Sequence, residues 1–199
     1  MRILVVLLFL ALASGPAQAG VFDTPQFVQP GEFALGFEPE LTLTNGAGMA
    51  GNLRYTQGLT ELNNLNVILG TGGGPRRFRA GGNVTFDFFP DIDKQPGIGI
   101  AVQGLYYRLH QADVDSGQFE VSGVPYIHKA FQATGYEIQP FFSIPFGIAF
   151  SSGTYQWFSQ VVVGALYKQS EHVRFSTEIG FNINHAESYV SGGIIYYHH

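Results

Sequence analysis

The chain of 199 residues carries ten Lys and Arg against fifteen Asp and Glu, a formal net charge of −5, and no cysteine. Charged residues make up 13% of it, about half the ~25% usual for soluble domains, while hydrophobic residues reach 45% and aromatic ones 15%. This excludes disulfides, thiolate metal centres, cysteine nucleophiles and a lipid-modified cysteine, and it argues against a nucleic-acid surface, which needs a basic patch.

Residues 1–19 read as an address. Arg2 gives a positive start, Ile3 to Ala13 is apolar throughout, and Gly15-Pro16 leads into Ala17-Gln18-Ala19. That order is the signature of a secretory leader cleaved before Gly20. The apolar run falls short of the ~20 residues that a spanning helix needs.

Beyond residue 20 the recurring signal is period two, which marks strands. In Phe33 to Leu43, Phe33, Leu35, Phe37, Leu41 and Leu43 alternate with Ala34, Gly36, Glu38, Glu40 and Thr42. Met49 to Leu59 sets Leu53 and Tyr55 against Asn52 and Arg54, and Asn64 to Gly70 is a short run with Leu65, Val67 and Leu69 on one side. Arg77 to Phe88 opposes Phe78, Val84, Phe86 and Phe88 to Arg77, Arg79, Asn83, Thr85 and Asp87. Ile98 to Tyr106 follows, and then Phe119 to Phe131, whose pattern Pro125, His128 and Lys129 interrupt. Tyr136 to Phe150 is the clearest run, with Tyr136, Ile138, Phe142, Ile144, Phe146, Ile148 and Phe150 sharing a face opposite Glu137 and Gln139. Tyr155 to Tyr167 and Val173 to Asn184 repeat the pattern, the latter with Arg174 and Glu178 on its polar side. Tyr189 to Tyr197 is apolar on both faces and has no parity of its own.

Turn residues separate the runs at Asn45-Gly46, Thr60 to Asn63, Gly72 to Pro75, Pro90 to Pro96, Asp113 to Gly117, Thr134-Gly135, Ser151 to Gly153, Lys168 to His172 and His185 to Ser188. The expectation is ten strands with short loops on both sides. An even number lets both termini lie at one end of a closed antiparallel barrel. Dropping Phe119 to Phe131 and Asn64 to Gly70 would leave eight.

Alternation alone does not say which face meets water. A soluble sandwich would show Lys and Glu on its polar side, but here that side is Gly, Ala, Ser, Thr, Asn and Gln with few charges. The apolar faces also begin or end in rings: Phe78 and Phe88, Tyr136 and Phe150, Tyr155 with Trp157 and Tyr167. Rings at both strand ends match the interfacial girdles of membrane barrels.

On these features the sequence from Phe33 to His199 resembles the small bacterial outer-membrane β-barrel proteins. The resemblance is architectural, with no subgroup motif. It implies an all-β, closed antiparallel up-and-down transmembrane β-barrel (32–199) behind a short periplasmic segment (20–31) and the signal peptide (1–19). It also implies export to the outer membrane and insertion through the C-terminal strand. There Gly193, Ile195 and Tyr197 hold alternate positions, and the chain closes on His198-His199, with Tyr197 available as the terminal aromatic.

With the odd face of the first strand outward, the lumen receives Glu38, Glu40, Arg54, Arg79, Asp87, Glu137, Arg174 and Glu178. Charges of both signs removed from bulk water need partners, so acid–arginine pairs are expected to fill the interior as a plug rather than leave a wide channel. No catalytic residue, metal site or cofactor is expected: H-E-x-x-H and G-x-S-x-G are absent, and Gly70 to Arg77 lacks the Lys-Ser/Thr of a phosphate loop. Arg76, Arg77 and Arg79 are candidates to touch lipopolysaccharide phosphates. With the N-terminal segment periplasmic, the turns at Asn45, Gly72, Asp113, Ser151 and His185 face outward. The expected partners are membrane lipids, lipopolysaccharide and the barrel-insertion machinery, and no nucleic acid. A structural protein or narrow polar pore is the first reading. An exported soluble β-sandwich or lipocalin-like carrier, and a barrel enzyme acting on lipid, are the alternatives.

Overall fold

A computed structural model describes residues 27–44, 47–72, 75–111, 114–133, 135–151 and 153–198. The expected leader, the Asn45-Gly46 turn, Gly73, Gly74, Asp113, Thr134, Ser152 and His199 lie outside the described residues. The strands are β1 (Phe33–Thr42), β2 (Gly48–Thr60), β3 (Asn63–Gly72), β4 (Arg76–Phe89), β5 (Gly97–Gln111), β6 (Val114–His128), β7 (Phe131–Ala133), β8 (Tyr136–Ser143), β9 (Phe146–Ser151), β10 (Thr154–Lys168), β11 (Val173–Asn184) and β12 (Tyr189–His198).

The neighbouring staves pair antiparallel in chain order, and β12 returns to β1, with Ala34 opposite Tyr197 on one side and Thr56 on the other. The sheet therefore closes and has no free edge. β6 with β7 forms one stave broken at Lys129-Ala130, and β8 with β9 another broken at Ile144-Pro145, so ten staves surround the lumen. The second break falls where Pro145 cannot donate to a ladder. The ladder re-forms beside it, as Ile144 N–H bonds Pro125 O at 3.1 Å and Gln160 N–H bonds Pro145 O at 2.9 Å. Both segments whose removal would have left eight strands, Asn64 to Gly70 and Phe119 to Phe131, are staves. The second begins earlier than its pattern suggests, since Val114 to Gly117 pair with Arg108 to Gln111 rather than forming a turn.

Burial fixes the two faces. Along β1, Ala34, Glu38, Glu40 and Thr42 are buried, whereas Leu35, Phe37 and Leu41 are exposed. The same inversion holds around the ring: Leu53, Val67, Phe86, Val102, Val121, Phe142, Trp157 and Ile179 are exposed, while Asn52, Asn66, Thr85, Gln103, Ser122, Gln139, Gln160 and Glu178 are buried. Among the described residues, the charged side chains on the outward strand face are Arg77, Arg108 and Asp115, all near the end away from the termini. An apolar belt with a polar interior is the arrangement of a membrane barrel. A soluble carrier would have its apolar face within.

Two details depart from plain alternation. A bulge at Arg76–Phe78 turns Arg76 inward and leaves Arg77 outside, reversing the expected place of Arg77. On β12 it is Tyr189, Ser191, Ile195 and Tyr197 that face inward, and Val190, Ile194 and Tyr196 that face out. The alternate set that includes Ile195 and Tyr197 is thus the lumen set, and Tyr196 is the last outward tyrosine, followed on the same face by His198.

Candidate functional site: a closed polar lumen

The inward positions bring charges from separate staves together. Glu38 on β1 accepts a bond from Arg54 Nη2 on β2 at 2.7 Å, with both side chains about 1% exposed. Gly193 makes this possible, because a Cβ there would collide with Glu38. Glu40, one inward position along, lies 2.9 Å from Arg76 Nη1 and 3.3 Å from Arg79 Nη1 on β4. Arg76 also bonds Thr42 Oγ1, and its Nη2 reaches Glu187 Oε2 at 2.6 Å.

The Arg76–Glu187 pair crosses the lumen. Going one way from β4, the staves β3, β2 and β1 intervene before β12; going the other, β5, β6, β8 with β9, and β10 intervene before β11. Glu187 belongs to the turn between β11 and β12, which folds inward: Ala186 and Glu187 are each 1% exposed. The fold of that turn is fixed by Gln160 Nε2 donating to Glu187 O at 2.5 Å, Ala186 N–H to Asn182 Oδ1 at 3.1 Å, and Ser188 N–H to Thr44 Oγ1 at 3.0 Å. The result is a charged bar across the mouth farther from the termini. Charges buried at such a site persist only when paired, and losing one partner costs ~3–5 kcal/mol.

The remaining inward acids and cations have varied surroundings. Glu178 accepts a bond from Tyr189 Oη at 2.9 Å, and Glu120 one from Gln118 Nε2 at 2.9 Å. The Arg79 guanidinium lies 5.2 Å from the centre of the Tyr107 ring, and that of Arg174 lies 4.7 Å from the Tyr197 ring. Glu137 is half-buried beside Lys168 in the β8–β10 ladder. Between the charged clusters runs a ladder of neutral groups: Thr56 Oγ1 to Asn66 Oδ1 at 2.6 Å, Asn66 Nδ2 to Asn83 Oδ1 at 2.7 Å, and Asn83 Nδ2 to Gln103 Oε1 at 3.3 Å.

The end nearer the termini is less satisfied. Asp87 on β4 faces His128 Nε2 on β6 at 3.7 Å, too far for a hydrogen bond, while Gln139 lies 2.9 Å from His128 Nδ1. The rings of Tyr126 and His128 lie over Gly99 and Gly97 of the intervening stave, where a Cβ would overlap them. Asp87 Oδ1, His128 Nε2, Tyr126 Oη and Ser143 Oγ are all buried there and have no hydrogen-bond partner among the described residues.

The interior is also more apolar than its sequence pattern suggests. Ile68, Leu105, Tyr107 and Leu109 form one buried cluster, and Val28, Ala34, Leu166, Ile195 and Tyr197 a second. The girdle candidates are all outside and exposed: Phe78, Phe150, Tyr155 and Trp157 toward the far rim, and Phe88, Tyr136 and Tyr167 toward the rim near the termini. Tyr136 and Tyr167 stack there with centroids 6.5 Å apart. Of the arginine trio considered for lipopolysaccharide, Arg76 and Arg79 are buried in the lumen and only Arg77 is outside.

Arg76, Glu120, His128 and Glu187 were missed by sequence pattern. The bulge hides Arg76, and nothing in a turn predicts the inward fold that carries Glu187. Glu120 did carry a signal, since it alternates with Phe119 and Val121.

Ten staves, an apolar exterior and a charge-bearing interior together define a small transmembrane β-barrel. No protein-family model matches the chain, and no curated protein matches it. Among solved structures it is similar to the COG4313 outer membrane channel from Pseudomonas putida F1, with a TM-score of 0.53 at 7% identity over 91% of this chain and 100% of that one. It also matches the KdgM porin (TM-score 0.41, 10% identity, 83% of this chain and 99% of that one). A de novo designed transmembrane β-barrel matches with a TM-score of 0.40 at 15% identity, over 87% of this chain and 100% of that one. The first of these likenesses supports the barrel fold.

Proposed function

We propose that the chain is an integral barrel of the bacterial outer membrane, without a catalytic role, whose lumen is a narrow polar conduit held shut by its own ion pairs. The observation that carries this reading is the Arg76 bar, which reaches from β4 across the lumen to Glu40 and Glu187 on the wall formed by β1 and β12. A purely structural barrel of this size can fill its interior with apolar side chains, as small barrels do. Here the filling is ionic and amide-rich, and it is costly to desolvate unless water enters at some stage. The leader pattern of residues 1–19 supports export, and the two rims of exposed rings suit headgroup level at each membrane face. Lipid contact falls to the outward belt, and Arg77 is the member of its trio placed to meet a lipopolysaccharide phosphate. Val190, Ile194 and Tyr196 are the outward residues that the insertion machinery would read.

Planar-bilayer recording tests the conduit. The wild-type barrel is expected to be silent, and Glu187→Ala to give brief, ion-sized openings. Silence that persists after both mouths have been opened by substitution would sink the reading. Incubation with phospholipid and lipopolysaccharide should leave both unchanged, and a time-dependent product would overturn the non-catalytic role.

A further inference from the structure

The mouth nearer the termini is occupied by the chain's own N-terminal segment. Gly31, at φ +85°, turns the chain before β1 in a conformation that favours glycine, so residues 27–29 run back into the barrel. Val28 is 4% exposed and packs with Ala34, Leu166, Ile195 and Tyr197, all inward residues of β1, β10 and β12. Its N–H donates to Asn64 Oδ1 on β3 at 3.3 Å. Phe27 reaches β6, its ring centroid 4.9 Å from that of His128 and 6.4 Å from that of Tyr126. Three residues thus touch staves on several sides of the ring and cover the unsatisfied polar patch around Asp87 and His128.

The wall is cut to receive this segment. Gly58 on β2 has an inward face, and a Cβ there would collide with the carbonyl oxygens of Val28 and Gln29. The same residue bonds the segment on both sides: Gly31 N–H donates to Gly58 O at 3.3 Å, and Gly58 N–H to Glu32 O at 3.1 Å. Phe27, Val28 and Gln29 carry no charge, so the segment can leave without exposing an unpaired charge.

We propose that Phe27–Gln29 is a removable plug that seats in the mouth nearer the termini, and that its withdrawal opens the lumen to solute from that side. This rests on the conduit reading above. Because the chain has no cysteine, Val28→Cys gives a single reporter thiol. In the folded barrel, identified by heat-modifiable gel mobility, its reaction with a membrane-impermeant maleimide should be slow. Adding Gly58→Ala should raise the rate at least about tenfold, as expected when a protected site becomes open. For conductance, Gly58→Ala in a Glu187→Ala background should turn brief openings into sustained ones. Val28→Asp, which cannot be buried in that apolar seat, should do the same if Gly58→Ala fails to fold.

Rapid labelling of Val28→Cys in the otherwise wild-type barrel would overturn the plug. So would openings of Glu187→Ala that neither eviction variant lengthens, and in that case the conduit itself would stand. If labelling follows the expected pattern while every variant stays silent, the conduit reading fails and the gating role falls with it.

Discussion

The two mouths of the barrel are closed by different chemistry. At the far mouth, one guanidinium from β4 spans the lumen to two carboxylates on the β1–β12 wall, and the turn that carries Glu187 is drawn in by hydrogen bonds from Gln160 and to Asn182 and Thr44. At the near mouth, Val28 and Phe27 sit among apolar and aromatic side chains with one bond to Asn64. An ionic closure in a desolvated site tolerates no missing partner, because what remains is an unpaired buried charge. An apolar closure loses stability gradually, in proportion to the area removed. The far mouth should therefore fail abruptly under substitution, and the near mouth in steps.

Arg76→Ala is the sharpest way to break the first half of this contrast. It strands Glu187 and deprives Glu40 of one of its two arginines, so urea unfolding in lipid should show a loss of about 3–5 kcal/mol. Arg77→Ala, one residue along but outside, should change stability by less than ~0.5 kcal/mol. Similar losses at the two positions would refute the bulge that separates them. Next in size is Tyr189→Phe, which leaves the 1%-exposed Glu178 without the 2.9 Å bond from the phenol. Unfolding of that variant should report about 1.5–3 kcal/mol, the range for a hydrogen bond to a charged group.

These residues also mark what could be read from the sequence. Period two located most of the ten staves, because an outward face in lipid and an inward face in a polar lumen impose opposite chemistry on alternate positions, and turn residues delimited the rest. Glu38, Glu40, Arg54 and Glu178 lie on strands with clean alternation, and their inward burial follows directly from it. Arg76 escapes because one extra residue at a bulge shifts parity without changing composition. β12 escapes because its inner wall carries Tyr189, Ile195 and Tyr197, as apolar as its outer face. Ile195 and Tyr197 are tolerated inside because they pack with Val28, Ala34 and Leu166, and Tyr189 because its hydroxyl bonds Glu178. Glu187 and Phe27 belong to a turn and a tail, where no period constrains direction.

The near mouth should yield in smaller steps. Val28→Ala removes two carbons from a site that is 4% exposed, which at ~0.8 kcal/mol per buried methylene predicts a loss of about 1.6 kcal/mol. The loss is capped by the free energy of withdrawing the segment, since a barrel with an empty mouth is still a closed sheet. Hydrogen exchange at the Val28 amide should accelerate by the same factor as the measured destabilisation implies. Acceleration confined to global unfolding would mean that the segment does not open independently.

The smallest effect lies at the rim behind that mouth. Asp91, in the turn between β4 and β5, bonds the Lys129 ammonium and accepts from Ala130 N–H at 2.6 Å, bracing the break between β6 and β7 next to the histidine on which Phe27 rests. Burial acts to raise its carboxyl, but the Ala130 amide and the Lys129 charge outweigh burial and hold it below its ordinary 3.8. With the folded value depressed, the stabilisation is complete above the unfolded value and disappears as pH falls through the folded one. Unfolding measured from pH 6 down to about pH 3 should therefore show a stability loss of less than about 1 kcal/mol from this pair, the scale of partly exposed ion pairs. Asp91→Asn should lack that component. If the brace also positions His128, labelling of Val28→Cys, divided at each pH by that of a fully exposed thiol to remove the thiolate's own pH dependence, should quicken over the same pH range in the wild-type rim and stay flat in Asp91→Asn.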